Sequence, residues 1–192
     1  MSTVTRFLLN RSSEPRLQSP APDKAVLDQA FRCAARAPDH ALLKPWRYLV
    51  IEGDALIKLG EVFAGASANN ATEKELEKAR NAPLRAPMVI VGIASPRHHP
   101  KVPEVEQVLA AGSSMTLLSL ALNDAGFGTM WRSGPVAYAH SVQEALGLAD
   151  DEVIIGFLYT GTVSAEKPIV PRSDPSEFVE YWQGIDGCHS WR

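Results

Sequence analysis

The chain has 192 residues, with 19 Lys and Arg against 22 Asp and Glu, a formal net charge of −3. At 45% hydrophobic and 21% charged residues it has ordinary globular composition and the length to bury one sizeable core. The charge balance leaves no basic face for nucleic acid or an anionic membrane, and two distant cysteines, Cys33 and Cys188, make neither a disulfide framework nor a zinc site, which suits a reducing, cytoplasmic setting.

In chain order, residues 3–10 read as a short helix, and Phe7-Leu8-Leu9 is too short for a signal-peptide core. Ser19-Pro20-Ala21-Pro22 is a turn. A helix starting near Asp23 carries Val26, Ala30, Cys33 and Ala37 along one stripe and ends at Pro38. Residues 46–51, aromatic and β-branched, form a strand closed by Gly53. Leu56, Leu59 and Phe63 suit one helix face, and Thr72 with Glu75 makes a capping box opening a charged helix to about Arg80. Residues 88–94 are continuously apolar and predict a central strand.

Residues 104–125 predict a long helix, apolar nearly all round in its middle and therefore buried on most sides. Its uncharged stretch, residues 107–123, falls short of the roughly 20 apolar residues a membrane span needs. Its small residues, Ala110, Ala111, Gly112, Ser113 and Ser114, would let another helix approach closely. Gly126 ends it, and residues 128–131 form a short strand. Val142, Ala145 and Leu146 mark a helix stopped by Gly147, and residues 153–160 a second apolar strand. The tail from about residue 165 reads as extended, free to wrap a neighbour with Trp182 and Trp191. This mixture predicts one domain over residues 1–192, with helices packed on a sheet.

Several chemistries lack their fingerprints. There is no G-x-G-x-x-G, P-loop, G-x-S-x-G or H-E-x-x-H, and Gly126-Phe127-Gly128 runs from helix into strand, the wrong polarity for a dinucleotide turn. Adjacent His98 and His99 have no ligand-spaced companions and read as loop. Glu104 and Glu106 sit at a helix start, where carboxylates favour the dipole.

What remains is a set of cations and hydroxyls at element ends. Arg11-Ser12-Ser13 fits either a phosphate site or a solvated helix C-terminus. Arg36-Ala37-Pro38-Asp39-His40 is either a polar turn or a rigid turn presenting Arg36 and His40 across an interface. Trp131-Arg132-Ser133-Gly134 closes a strand, a place where ligands bind in α/β sheets and where an aromatic also packs over a core.

These stretches, with Pro45-Trp46, Lys78-Ala79-Arg80-Asn81-Ala82-Pro83, Lys101-Val102-Pro103, Gly126-Phe127-Gly128 and Gly156-Phe157-Leu158-Tyr159, resemble in order and spacing the nitroreductase family over about residues 3–180, and within it a minimal bacterial NAD(P)H branch. The resemblance implies an α+β fold, a central mixed sheet flanked by helices, and an intertwined homodimer with FMN at the interface. It implies electron transfer from NADH or NADPH through FMN to a nitroaromatic, quinone or similar acceptor, in two half-reactions at one site. It further implies that Arg11, Ser12, Ser13, Trp131, Arg132 and Ser133 of one subunit contact FMN, with Arg36 and His40 from the other. A nicotinamide-nucleotide segment of the branch would fall between Ala121 and Gly126, the two residues that match it. Ser12 stands where the family usually has a second Arg, and Lys44 where it often has Gln; Lys167 or Arg172 could restore the charge. A non-catalytic flavin-binding dimer, or the same fold running dehalogenation or metabolite dehydrogenation, is the alternative.

Overall fold

The computed structural model describes residues 1–68, 71–165, 167, 168, 170–184 and 187–190, with the backbone alone at 188–190. The expectations for the Cys188 thiol and for Trp191 lie outside the described residues.

Local signals set most elements. Ser2 accepts the Thr5 N–H at the start of α1 (Thr3–Asn10), and Asp23 accepts the Val26 N–H at the start of α2 (Lys24–Ala34). The short β1 (Leu17–Gln18) lies between them. β2 (Trp46–Glu52) turns at Gly53, φ +57°, into α3 (Asp54–Ala66). The capping box of Thr72 and Glu75 opens α4 (Glu73–Arg80), and the 3₁₀ turn Pro83–Arg85 leads to β3 (Met88–Ala94). α5 (Glu104–Asp124), β4 (Gly128–Arg132), α6 (Pro135–Tyr138), α7 (His140–Ala145) and β5 (Val153–Val163) follow.

The main sheet has the order β1-β5-β3-β2, with β4 also paired to β5. Every pairing among the described residues is antiparallel, which corrects the expected mixed sheet. The apolar runs of β3 and β5 mark strands covered on both faces, and that burial pattern carries no information on direction. Helices cover both faces. Leu56, Phe63, Val89, Val91, Phe157 and Tyr159 form one core, under α3 and α7. Ala30, Met88, Ile90, Met115, Leu118 and Leu158 form the other, under α2 and α5.

Three further expectations change. α2 ends at Ala34 rather than Pro38, because residues 35–37 close onto Phe31, Cys33 and Ala34 as a turn. α5 buries Gln107, Ala111, Met115 and Leu118, but leaves Val105 64% and Leu109 66% exposed, so one stripe stays uncovered by its own chain. By length and composition this 21-residue helix could cross a membrane, contrary to the shorter stretch read from its uncharged residues. The tail is not simply extended. Asp174 caps a 3₁₀ turn, Pro175–Glu177, and β6 (Glu180–Trp182) pairs antiparallel with β7 (Cys188–Ser190).

Candidate functional site at the two ends of β4

β4 has β5 on one side only, so its outer edge is open except where the Glu14 N–H donates to the Thr129 carbonyl at 2.8 Å. Side chains alternate across a strand. Thr129 and Trp131 therefore face α5, while Met130 and Arg132 face the Phe63 and Tyr159 core. The expected trio Trp131, Arg132 and Ser133 meets at one cleft, and Trp131 also borders a second hollow on the α5 side.

Trp131 closes a groove of about 630 Å³ with Leu109, Gly112, Thr116 and Tyr138. Its Nε1 donates to the Ile155 carbonyl at 3.2 Å. A Cβ on Gly156 would lie 2.1 Å from that nitrogen, so the indole needs glycine there. Arg132 and Ser133 line a cleft of about 510 Å³ with Arg85, Phe63, Met130 and Tyr159. The Arg132 guanidinium sits 5.5 Å from the Tyr159 ring centroid. Its Nε is buried without a hydrogen-bond partner. Burial pushes the Tyr159 hydroxyl above its ordinary pKa, against an opposite pull from Arg132 and Arg85.

At the other end of β4, Arg11 and Ser12 line a hollow of about 260 Å³ with Phe7, Asn10, Gly126 and Gly128. The Ser12 hydroxyl donates to Glu14 at 3.0 Å. Lys167 Nζ reaches Glu14 at 2.7 Å and the Ser13 carbonyl. Arg172 donates to the carbonyls of Arg11 at 2.8 Å and Leu9 at 3.1 Å. The tail thus folds back and delivers both expected replacement cations to residues 11–14. Gly126 shares this hollow, whereas Ala121 packs against the α5-side core.

Arg36 and His40 lie elsewhere, exposed. His40 Nδ1 is 2.8 Å from Glu106 at the start of α5. The loop carrying it is strained: Ala41, Leu42 and Lys44 have φ of 63°, 55° and 51°. The Asp39 carboxylate accepts the Lys44 N–H at 2.6 Å and braces it. α5 serves as a ruler. His40 touches its first turn through Glu106, and the Arg11 hollow includes Asn123 at its last. At about 1.5 Å per residue those points are roughly 25 Å apart. One chain does not bring His40 to Arg11.

Sequence reasoning missed Arg85, a lone cation between Pro83 and Pro87 with no motif around it, and Glu106, whose partner is 66 residues away. Among the described residues no group of three or more His, Cys, Asp or Glu could hold a metal, and His98 and His99 sit in a loop.

Comparison with known proteins gives this arrangement a context. Residues 8–162 match the model of the nitroreductase family. The candidate NAD(P)H nitroreductase YdjA of Escherichia coli (strain K12) is 41% identical over 180 residues, 92% of this chain and 97% of that protein. Two crystal structures share the fold. The nitroreductase-like family protein from Bacillus cereus has a TM-score of 0.81 at 23% identity, over 96% of this chain and 98% of that one. The FMN and NADPH-dependent nitroreductase NfnB from Sphigopyxis sp. strain HMH has a TM-score of 0.75 at 20% identity, over 96% and 100%. The family match over most of the chain and the YdjA identity carry the conclusion: this chain belongs to the nitroreductase family.

Proposed function

We propose that this protein is a cytoplasmic, homodimeric, FMN-dependent oxidoreductase, taking electrons from NADH or NADPH and delivering them to a nitroaromatic, quinone or similar small acceptor. The observation that carries the reading is the buried, unpartnered Nε of Arg132 beside the open edge of β4. A buried donor without an acceptor costs about 1–3 kcal/mol, and a ligand rich in acceptors relieves it. The residues fit FMN on that ground. Family membership, the relative named for NAD(P)H and the fold neighbour named for FMN and NADPH support the same reading.

FMN, when bound, supplies the hydride and electron transfer. Arg11, Ser12 and Ser13 would hold its phosphate through charge-assisted hydrogen bonds, with Lys167 and Arg172 beside them. Arg132 and Ser133 would hold the other end, and Trp131 would wall it. No side chain need act as acid or base, because the acceptor can take its proton from water. His40, about 25 Å from the Arg11 hollow along α5, would serve the site of a second copy together with Arg36. The uncovered α5 stripe of Val105 and Leu109, with Tyr138 76% exposed, is a fitting face for that copy.

The protein's own spectrum tests this reading. The purified protein is expected to be yellow, or to become so with FMN, and NADPH should bleach it rapidly in a stopped-flow mixer. Protein that stays colourless after FMN is added overturns the proposal, and flavin bound without reduction leaves the passive binder. Light scattering should give twice the monomer mass, and a monomer would remove the role given to Arg36 and His40.

A further inference from the structure

The cleft behind Arg132 holds a second cation that nothing in the family resemblance assigns. Arg85 enters it from the 3₁₀ turn Pro83–Arg85, on the wall opposite β4. Among the described residues, neither the Arg85 nor the Arg132 side chain makes a hydrogen bond or ion pair. No Asp or Glu lines the cleft. The adjoining hollow of about 750 Å³, which also includes Arg85 and Ser133, brings Glu75 and Lys78. Glu75, however, is held by the capping box, accepting the Thr72 N–H and hydroxyl at 2.8 and 2.7 Å.

Cations that do line other junctions are matched by acids: Arg47 with Glu152, Arg80 with Glu73, Lys167 with Glu14. Two guanidinium groups converging on one cleft without an acid repel each other unless an anion joins them. The walls specify the anion's shape. Trp131, Tyr159, Phe63 and Phe157 are flat aromatic surfaces, and a guanidinium fork matches a planar pair of acceptors.

We propose that this cleft is an anion subsite in which Arg85 and Arg132 together grip a planar, charge-delocalised edge, and that Arg85 is a binding residue of it. The chemistry is that of an aromatic carboxylate or of the O–C–N edge of a heteroaromatic ring. The edge belongs either to an acidic acceptor or to the flavin ring, whose phosphate would lie at the opposite end of β4; the second source rests on the function proposed above.

The experiment uses the full chain. Apoprotein is titrated with benzoate and separately with FMN, following tryptophan fluorescence, in wild type, Arg85→Ala and Arg85→Lys, with a thermal melt confirming that each variant is folded. The midpoint potential of bound FMN is measured in the same three proteins. Benzoate affinity is expected to fall roughly tenfold or more in Arg85→Ala, the scale of one charge-assisted hydrogen bond, with partial recovery in Arg85→Lys. A potential that also drops in Arg85→Ala identifies the flavin ring as the ligand. Lost benzoate binding with an unchanged potential identifies an acidic acceptor. Benzoate binding that depends on Arg85 in a protein that never binds FMN would leave the subsite standing and remove the flavin function. FMN bound with equal affinity and potential in all three proteins, and benzoate unaffected, overturns the subsite while the flavin function survives.

Discussion

Two arginines on strands of one sheet, with β3 and β5 between them, are treated in opposite ways. Arg47, on β2, is paired: Nε donates to Glu152 Oε1 at 2.7 Å, and Nη2 to Oε2 at 2.5 Å and to the Gly147 carbonyl at 3.1 Å. Glu152 in turn accepts the Ala149 N–H at 3.0 Å and the Ser95 hydroxyl. Arg132, on β4, has a buried Nε with nothing to donate to and an aromatic ring for company. The first cluster ties β2, the end of β3 and the turn before β5 into one junction. The second ties nothing. A charge matched by an acid serves the fold, and one whose buried donor is left open is held ready for something else.

Mutations should separate these two kinds of arginine. The largest effect belongs to Glu152→Ala, which leaves the half-buried Arg47 without its acid and should lower unfolding stability by about 2–3 kcal/mol in urea melts while leaving flavin content per folded molecule unchanged. Acid should act on the same junction. Arg47 holds the Glu152 carboxyl down to about 2, so its contribution is whole above the unfolded value near 4.5 and drains away as the pH falls toward 2. That contribution is of order 3 kcal/mol, and a Glu152→Gln protein should lose this part of the stability–pH curve. Arg132→Met should behave in the reverse manner, keeping apoprotein stability within about 1 kcal/mol of wild type while flavin retention in gel filtration drops. If Arg132→Met unfolds the protein as Glu152→Ala does, the contrast fails. The smallest effect belongs to Lys167→Ala. Its pair with Glu14 is worth about 1 kcal/mol or less, and FMN should be held more weakly, with a shallower dependence on salt.

How much of this was legible before the fold was seen follows from distance along the chain. The helix over residues 3–10, the capping box at Thr72 and Glu75, and the apolar run of β3 are written in neighbouring residues and appear as read. Strand direction is not, since a fully apolar strand looks alike in either pairing. Trp131, Arg132 and Ser133 were visible as a motif, but the opposite faces of Trp131 and Arg132 follow from the strand that sets them opposite Leu158 and Phe157. Glu106 and Arg85 belong to the same class of omission. Each becomes meaningful only through a partner or a cleft that the chain assembles from remote segments. Lys167 and Arg172 show the opposite case, where a missing charge in a local motif drew attention to distant cations that the fold does bring beside residues 9–14.

The loop from Ala41 to Lys44 behaves as a wound spring. Three side-chain-bearing residues held left-handed store about 1–2 kcal/mol each, and the clasp is one carboxylate, Asp39, on one amide. Without that clasp such a segment should unwind and carry the His40 imidazole out of place. Glycine at position 41 would relax the coil. The molecule would then gain stability on its own and seat the proposed second copy less readily.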